Sequence, residues 1–559
     1  MKIKFFTHGS KPVEQEQPGK TAGGDAIKQS EPIIPHGQIV DTYRVPDTGD
    51  SDASAEIFIV DNNTFGQYIV REPYLDDGEV FALDLLKKNL RDAIPVETSG
   101  RVEQVIERYF WETAKKTELL EAVQRSHRKL LYYLLKDFSG FWEIDPLIHD
   151  DNIEEISVTR WDKPVRVFHR KFTEYMFMET NITYKSEERL QAFIRRLAQF
   201  SERSISLAQP SLEATIHLAS DVRISATLGD EITKPGSTYT IRKQKEKPLT
   251  IIQLAASDPA RQYPVMPPLP PESILKYSED HAHKTLTALM GAYFWLLLER
   301  TTNILIVGET SSGKTTLMNA ILSMMNPKAK IVTAEEVLEI NLPEDLHWQR
   351  FQTRTHKTGM SSLASNYDLS DLLKLALRFF PTVLSLGEMR GEESETVATA
   401  ITLGFSTITT VHAEDAERCI QRVTNPPMRF KEGHVRDITA IVTMKKVTLP
   451  DGKIVRRVVS IDEICPVGSD SHEIVNVFKY NYADDSFSPT TPEEVFKRSY
   501  RLKRMAESFG WTNEQVLRSL TNRASYISAA IAKREFQPEA LASMVRSYIA
   551  KESLRELVR

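Results

Sequence analysis

Residues 308–315 read GETSSGKT, and no other stretch restricts the fold of this chain so tightly. Gly308, Gly313, Lys314 and Thr315 meet the pattern G-x-x-x-x-G-K-[ST] in full. An apolar run at 303–307 precedes them, and TTLMNAILSMM, a good helix former, follows. Strand, tight loop and helix in that order make a cradle for phosphate. Glycines let the backbone wrap until its N–H groups point inward, and the helix N-terminus below favours negative charge. The residues expected to hold a nucleotide are Gly308, Thr310, Ser311, Ser312, Gly313, Lys314, Thr315 and Thr316. Lys314 brings a point charge to the β- and γ-phosphates, and the Thr315 hydroxyl can coordinate Mg²⁺. ATP and Mg²⁺ are therefore the expected ligands.

Such a loop needs a parallel sheet behind it. From about 273 to 490 the chain alternates strand-like and helix-like runs: NILIVGE, KIVTAEE, TVLSLGE, STITTVHA and TAIVTM, with helical segments between. That rhythm predicts an α/β domain whose largely parallel sheet is covered on both faces. Open α/β sheets bind ligands at the carboxyl ends of their strands. Glu388, the acid that ends TVLSLGE, is thereby placed beside the loop, either to orient attacking water or to hold the metal through water. The metal-holding residue at such a station is more often Asp.

The other segments are less explicit. Residues 1–55 are rich in Gly, Pro, Ser, Gln, Asp and Lys and are expected to be a disordered tail. Residues 56–140 read as a mostly helical domain that opens on IFIV, a short strand, with helical spacing of apolar residues over 102–136. A docking module for a membrane partner and a plain helical domain fit this region equally. Residues 141–248 read as an α+β domain: IEEISV, VRVFHR and TYTIRK suggest strands, and SEERLQAFIRRLAQF an amphipathic helix with a Ser–Glu–Glu cap. Residues 249–272, with YPVMPPLPP at 263–271, are expected to be a stiff Pro-rich linker. Residues 491–559 read as helical with a solvated basic face.

Composition narrows the function. The 559 residues are 41% hydrophobic and 26% charged, enough for several cores, and the net charge of −6 argues against a nucleic-acid partner. Two cysteines, Cys419 and Cys465, exclude a disulfide framework and a four-cysteine zinc module and suit a reducing compartment. The N-terminal MKIKFFTHGSKPVEQEQ lacks the apolar run of a cleaved signal. The most apolar stretch, 286–298, falls short of the roughly 20 residues that span a bilayer. It is expected to be a buried helix, so any membrane contact is peripheral or through a partner.

LGEMRGEE at 386–393 resembles the modified Walker B of the secretion ATPase superfamily, which drives type II secretion and type IV pilus or archaellum assembly. TAEEVLEINLP at 333–343 is similar to that family's acidic box, with Glu335, Glu336 and Glu339 as its acids, and TITTVHA at 407–413 to its His box, with His412 as its histidine. The order of the stations is the family's order. Upstream, IDPLIHDDNIEEISV at 144–158, the Arg223 region and TYTIRK resemble the family's N-terminal domain, and WDKPVRVFHRKF most resembles the archaeal branch. Two positions depart from the pattern: Glu336 stands where an Asp is usual, and Phe405 where the His box usually has a first histidine.

The resemblance implies a RecA-like P-loop motor domain preceded by a smaller α+β domain and a helical N-terminal region. It implies a homo-hexameric cytoplasmic ATPase, peripheral at the inner face of the membrane, acting on a polytopic platform protein without inserting into the bilayer itself. Glu388, Glu339, Glu335 and His412 become the expected catalytic residues, with Thr315 and Glu388 at the metal. Arg223 and Arg242 become charge-stabilising arginines, with Arg350, Arg354 and Arg390 as alternatives. Two rivals stay open: a related motor for DNA transfer or pilus retraction, and a nucleotide-switched scaffold without sustained turnover.

Overall fold

The computed structural model describes residues 37–46, 50–62, 65–93, 102–116, 120–218, 221–243, 248–256, 284–353, 367–450 and 452–557. The chain divides into two compact units, Met1–Lys245 and Glu246–Arg559.

Among the described residues, the first unit is built on strands β1 (Gln38–Val45), β2 (Ala55–Asp61), β3 (Gly66–Arg71), β4 (Ile153–Val158), β5 (Arg166–His169), β6 (Phe177–Thr180), β7 (Ser211–His217), β8 (Asp221–Thr227) and β9 (Thr238–Lys243). They form one sheet in the order β1-β2-β3-β6-β5-β4-β9-β8-β7, antiparallel except where β3 meets β6. The helix Glu187–Phe200 starts where the Ser186 side chain accepts from the Arg189 N–H. Leu190, Phe193, Ile194 and Leu197, spaced three and four apart, are buried with sheet residues such as Ile156, Ile224 and Ile241. Three further helices, Asp77–Ala93, Val102–Lys116 and Leu120–Phe138, share a core of their own around Leu86, Phe110 and Leu134.

Two expected boundaries change here. Residues 1–36 lie outside the described residues, but within the tail expected over 1–55 Gln38–Val45 is a strand. Its polar composition hides it, because β2 supplies a ready partner for its backbone. The strand expected at IFIV lies within β2, but β3 was not expected, and through it the region 56–140 joins the sheet of the α+β segment at β6.

In the second unit, among the described residues, β10 (Asn303–Gly308), β11 (Lys330–Glu335), β12 (His347–Gln352), β13 (Val383–Met389), β14 (Ser406–Val411) and β15 (Ala440–Thr448) pair in parallel. Their order, β12-β11-β13-β14-β10-β15, is that of a RecA-like core with the phosphate-loop strand inside it. The sheet continues antiparallel through β16 (Ile454–Val467), β17 (Ser471–Asn481) and β18 (Ser486–Ser488), which the alternating pattern did not foretell. Every residue of β10 is buried, as a central strand covered on both faces requires.

The apolar stretch 286–298 contains the helix Ala288–Leu297, in which every residue is buried. It packs against the helix Asn513–Ala532, so part of the C-terminal segment is core rather than solvated face. No helix among the described residues is long and apolar enough to cross a membrane. The stretch expected as linker over 249–272 begins inside the fold. Thr250 caps a short helix, Ile251–Leu254, whose Ile251, Ile252 and Leu254 are buried in the core of this unit. The prolines at 264–271 lie outside the described residues.

Candidate functional site

The phosphate loop leaves β10 at Gly308, whose φ is +151°. A Cβ there would sit 2.2 Å from the Met444 carbonyl oxygen on β15 and 2.6 Å from Ser312 Oγ, so only glycine fits. The loop passes through Ser311 (φ +60°) and enters the helix Lys314–Leu322 at Gly313. Lys314 is buried and its ammonium donates to the carbonyls of Gly308 and Glu309, each at 2.8 Å. Ser312 Oγ is fully buried and has no hydrogen-bond partner among the described residues. Such an orphan costs about 1–3 kcal/mol unless a ligand completes it.

The helix also organises the acidic loop. The Thr315 hydroxyl donates to Glu339 Oε2 at 3.1 Å. One turn on, Asn319 donates to the Glu339 carbonyl at 3.2 Å and accepts from the Asn341 N–H at 3.0 Å. Glu335, at the end of β11, has a different task from Glu339. Its Oε1 accepts from the backbone N–H groups of Glu339 and Ile340, both at 2.7 Å, and its Oε2 lies 3.5 Å from Arg350 Nε. Burial pushes this carboxyl up to about 7, against the pull of the two N–H groups and of Arg350.

Glu388 sits where β13 breaks register, between Leu386 and Met389. The neighbouring strand explains how the break is tolerated. Thr409 and Thr410 on β14 donate their hydroxyls to the Leu386 and Gly387 carbonyls, at 3.2 and 2.7 Å. A Cβ at Gly387 would lie 3.3 Å from Glu335 Cγ, which accounts for the Gly–Glu ending. Glu388 Oε2 accepts from Arg390. Oε1 is buried, lies 3.0 Å from His412 Nε2, and accepts no aligned hydrogen bond among the described residues. His412, the residue after β14, is held below the ordinary histidine range by burial and by the Lys314 charge. A neutral imidazole is its resting form near pH 7.

Lys314, Thr315, Glu339, Glu335, Glu388 and His412 therefore belong to one linked set at the carboxyl ends of β10, β11, β13 and β14. Thr310 and Thr316 lie on the loop and the first turn of its helix. Arg223 and Arg242 belong to the first unit, on β8 and β9, where they face each other across the ladder with Glu155 of β4 opposite Arg242. Arg350 is taken up by Glu335 and by the Trp348 ring, Arg390 by Glu388, and Arg354 lies outside the described residues.

Two residues at the site were not foreseen. Asn319 is four residues from Thr315, so helical spacing puts both on one face and the signal was present. Arg456, on β16, donates its Nε–H to the Ser311 carbonyl at 3.0 Å. Nothing local marks it, because β16 approaches the loop only through the order of the sheet.

The donor set suits a phosphate with a hard cation. It offers an orphaned hydroxyl, an ammonium, a helix N-terminus, and a hydroxyl paired with a carboxylate, which is oxygen ligation of the kind Mg²⁺ takes.

Comparison with known proteins agrees. A family model described as type II/IV secretion system protein matches residues 282–449. An uncharacterized protein of Methanocaldococcus jannaschii is 27% identical over 499 residues, 84% of this chain and 82% of its own. A second from the same organism is 32% identical over 259 residues, covering 46% of this chain and 90% of that one. The type IV secretion system protein PtlH homolog of Bordetella bronchiseptica is 28% identical over 285 residues, 50% of this chain and 78% of its own. With the loop, the acidic box, the Gly–Glu strand and the histidine all in place on one sheet, the chain belongs to the type II/IV secretion system protein family.

Proposed function

We propose that this chain is a Mg²⁺-dependent ATPase whose turnover powers assembly of a type IV pilus-like filament, an archaellum or a type II-like secretion system. The observation that carries this is the phosphate loop around Ser312 Oγ, which is buried and without a hydrogen-bond partner among the described residues, with Glu388 Oε1 likewise buried and unsatisfied at the end of β13.

The loop N–H groups and Ser312 bind the phosphates, and Lys314 exchanges its two loop carbonyls for phosphate oxygens. Thr315, with Glu339 beside it, holds Mg²⁺, which when bound neutralises charge on the β- and γ-phosphates. Glu388 Oε1 accepts the proton of the attacking water while Arg390 keeps the carboxylate in place and His412 flanks it. The water oxygen bonds to the γ-phosphorus, the bond to the β–γ bridging oxygen breaks, and ADP, inorganic phosphate and a proton result. Glu335 positions the acidic loop and touches no substrate. This is orientation and electrostatics rather than covalent chemistry. The setting we propose for such turnover is a homo-hexamer pushing on a polytopic membrane platform.

Lys314→Ala tests the reading. Phosphate release by the purified variant should fall to background and nucleotide affinity should drop. Turnover at the parent rate would overturn the assignment.

A further inference from the structure

We propose that a shallow pocket beside His412 is the exit site for the inorganic phosphate released by hydrolysis; the proposal rests on the ATPase reading above. The pocket has a volume of about 330 Å³ and is lined by His412, Ala413, Arg418, Gln421, Arg422 and Asn425. Its floor is the helix Ala416–Thr424 with the residue that ends it. Positions 418, 421, 422 and 425 are spaced three, four and seven apart and share one face, while Ala416, Cys419 and Val423 turn to the core. Arg418 donates to Gln421 Oε1 at 3.0 Å and Asn425 donates to the Gln421 carbonyl at 2.7 Å, so the polar wall is pre-arranged. Neither Arg418 nor Arg422 is in an ion pair among the described residues.

Chemistry sets the direction. In an in-line displacement the phosphoryl group moves away from ADP and toward the attacking water. Glu388 marks the side of the water, and His412 lies 3.0 Å from Glu388 while forming one wall of the pocket. The phosphate therefore leaves toward two guanidinium groups, the side chains best matched to its oxygens. Ala413 is the one apolar residue in the lining, which gives a nucleotide base nothing to stack on. A pocket of this kind holds a small dianion and lets it go.

The test uses the full-length protein loaded with ADP and Mg²⁺, titrated with inorganic phosphate in a calorimeter. The parent protein should bind phosphate. Arg418→Gln and Arg422→Gln should weaken that binding at least tenfold with ADP affinity unchanged, and Arg422→Lys should lose less than Arg422→Gln. The same variants should relieve inhibition of steady-state turnover by added phosphate. The proposal is overturned if the loaded parent takes up no phosphate, or if all three variants bind it as the parent does. Arg418→Gln and Arg422→Lys stand in should Arg422→Gln fail to fold. The titration needs no turnover, so its failure is distinct from a failure of the ATPase reading, which appears as absent hydrolysis in the parent.

Discussion

Glu388 ends β13 with one carboxylate oxygen held by Arg390 and the other buried without an aligned donor. On the reading proposed above, that second oxygen is the one that takes the proton of the attacking water. Replacement by Gln keeps the size and the contact with Arg390 but removes the proton acceptor. Glu388→Gln should bind ATP as the parent does while hydrolysis falls roughly a hundredfold, the usual scale for a lost general base. Nucleotide binding and single-turnover rates measured side by side separate the two, and an equal loss in both would make Glu388 structural. Glu335 is 1% exposed, with one oxygen spent on two backbone N–H groups and the other buried 3.5 Å from Arg350 Nε without an aligned hydrogen bond. Its carboxyl titrates near 7 in the fold against 4.5 ordinarily, so the folded state holds the proton longer than the unfolded chain. Stability from this group is thus fully present below about 4.5 and is lost as pH rises toward 7. Glu335→Gln, which still accepts both N–H groups, should gain on the parent across that window, by up to about 3 kcal/mol. Urea unfolding of both proteins from acid to neutral pH reads the difference, and parallel stability curves would refute it.

At the scale of elements, what was legible followed from period and punctuation. The β10 strand, the loop and its helix were fixed by an unbroken apolar run, two glycines and a helix-forming tail. The Gly–Glu end of β13 and the threonines of β14 were readable as motifs. Their physical connection was not, because it depends on a register break between Leu386 and Met389. Threonine hydroxyls fill the bonds that the break leaves open, so TITTVHA serves both to support β13 and to present His412. Elements stabilised from outside themselves were the ones missed. Gln38–Val45 has an exposed, polar strand pattern and owes its place to β2 and to the Tyr43 hydroxyl, which donates to the buried Asp150 at 2.7 Å. Ile251–Leu254 is a single turn that no periodicity would reveal, yet it is buried against the long helices of the second unit. Arg456 reaches the loop through strand order alone.

At the scale of the whole molecule, the cations proposed to serve phosphoryl transfer belong to both units. The second unit supplies Lys314 and Arg456 at the loop. Arg390 faces Glu388, and Arg350 is occupied by Glu335. The first unit holds Arg223 and Arg242 directly opposite each other on antiparallel strands. Like charges so placed are unfavourable, and Glu155 stands opposite Arg242 on its other side. An arginine serving the γ-phosphoryl oxygens is worth about three to five decades in rate, and on the reading proposed above Arg223 and Arg242 are the candidates for it. On that reading, turnover then depends on residues of both units. The fragment that tests this must begin at Glu246 rather than after the prolines, because a later start would strip Ile251, Ile252 and Leu254 from the core. Glu246–Arg559, full-length Arg223→Ala and full-length Arg242→Ala should each bind ATP with near-parent affinity and hydrolyse it at least a hundredfold more slowly, on the scale of a lost arginine. A fragment that turns over at the full-length rate would show the second unit to be complete alone. Arg456, bonded to the loop from β16, would then be the arginine to test next.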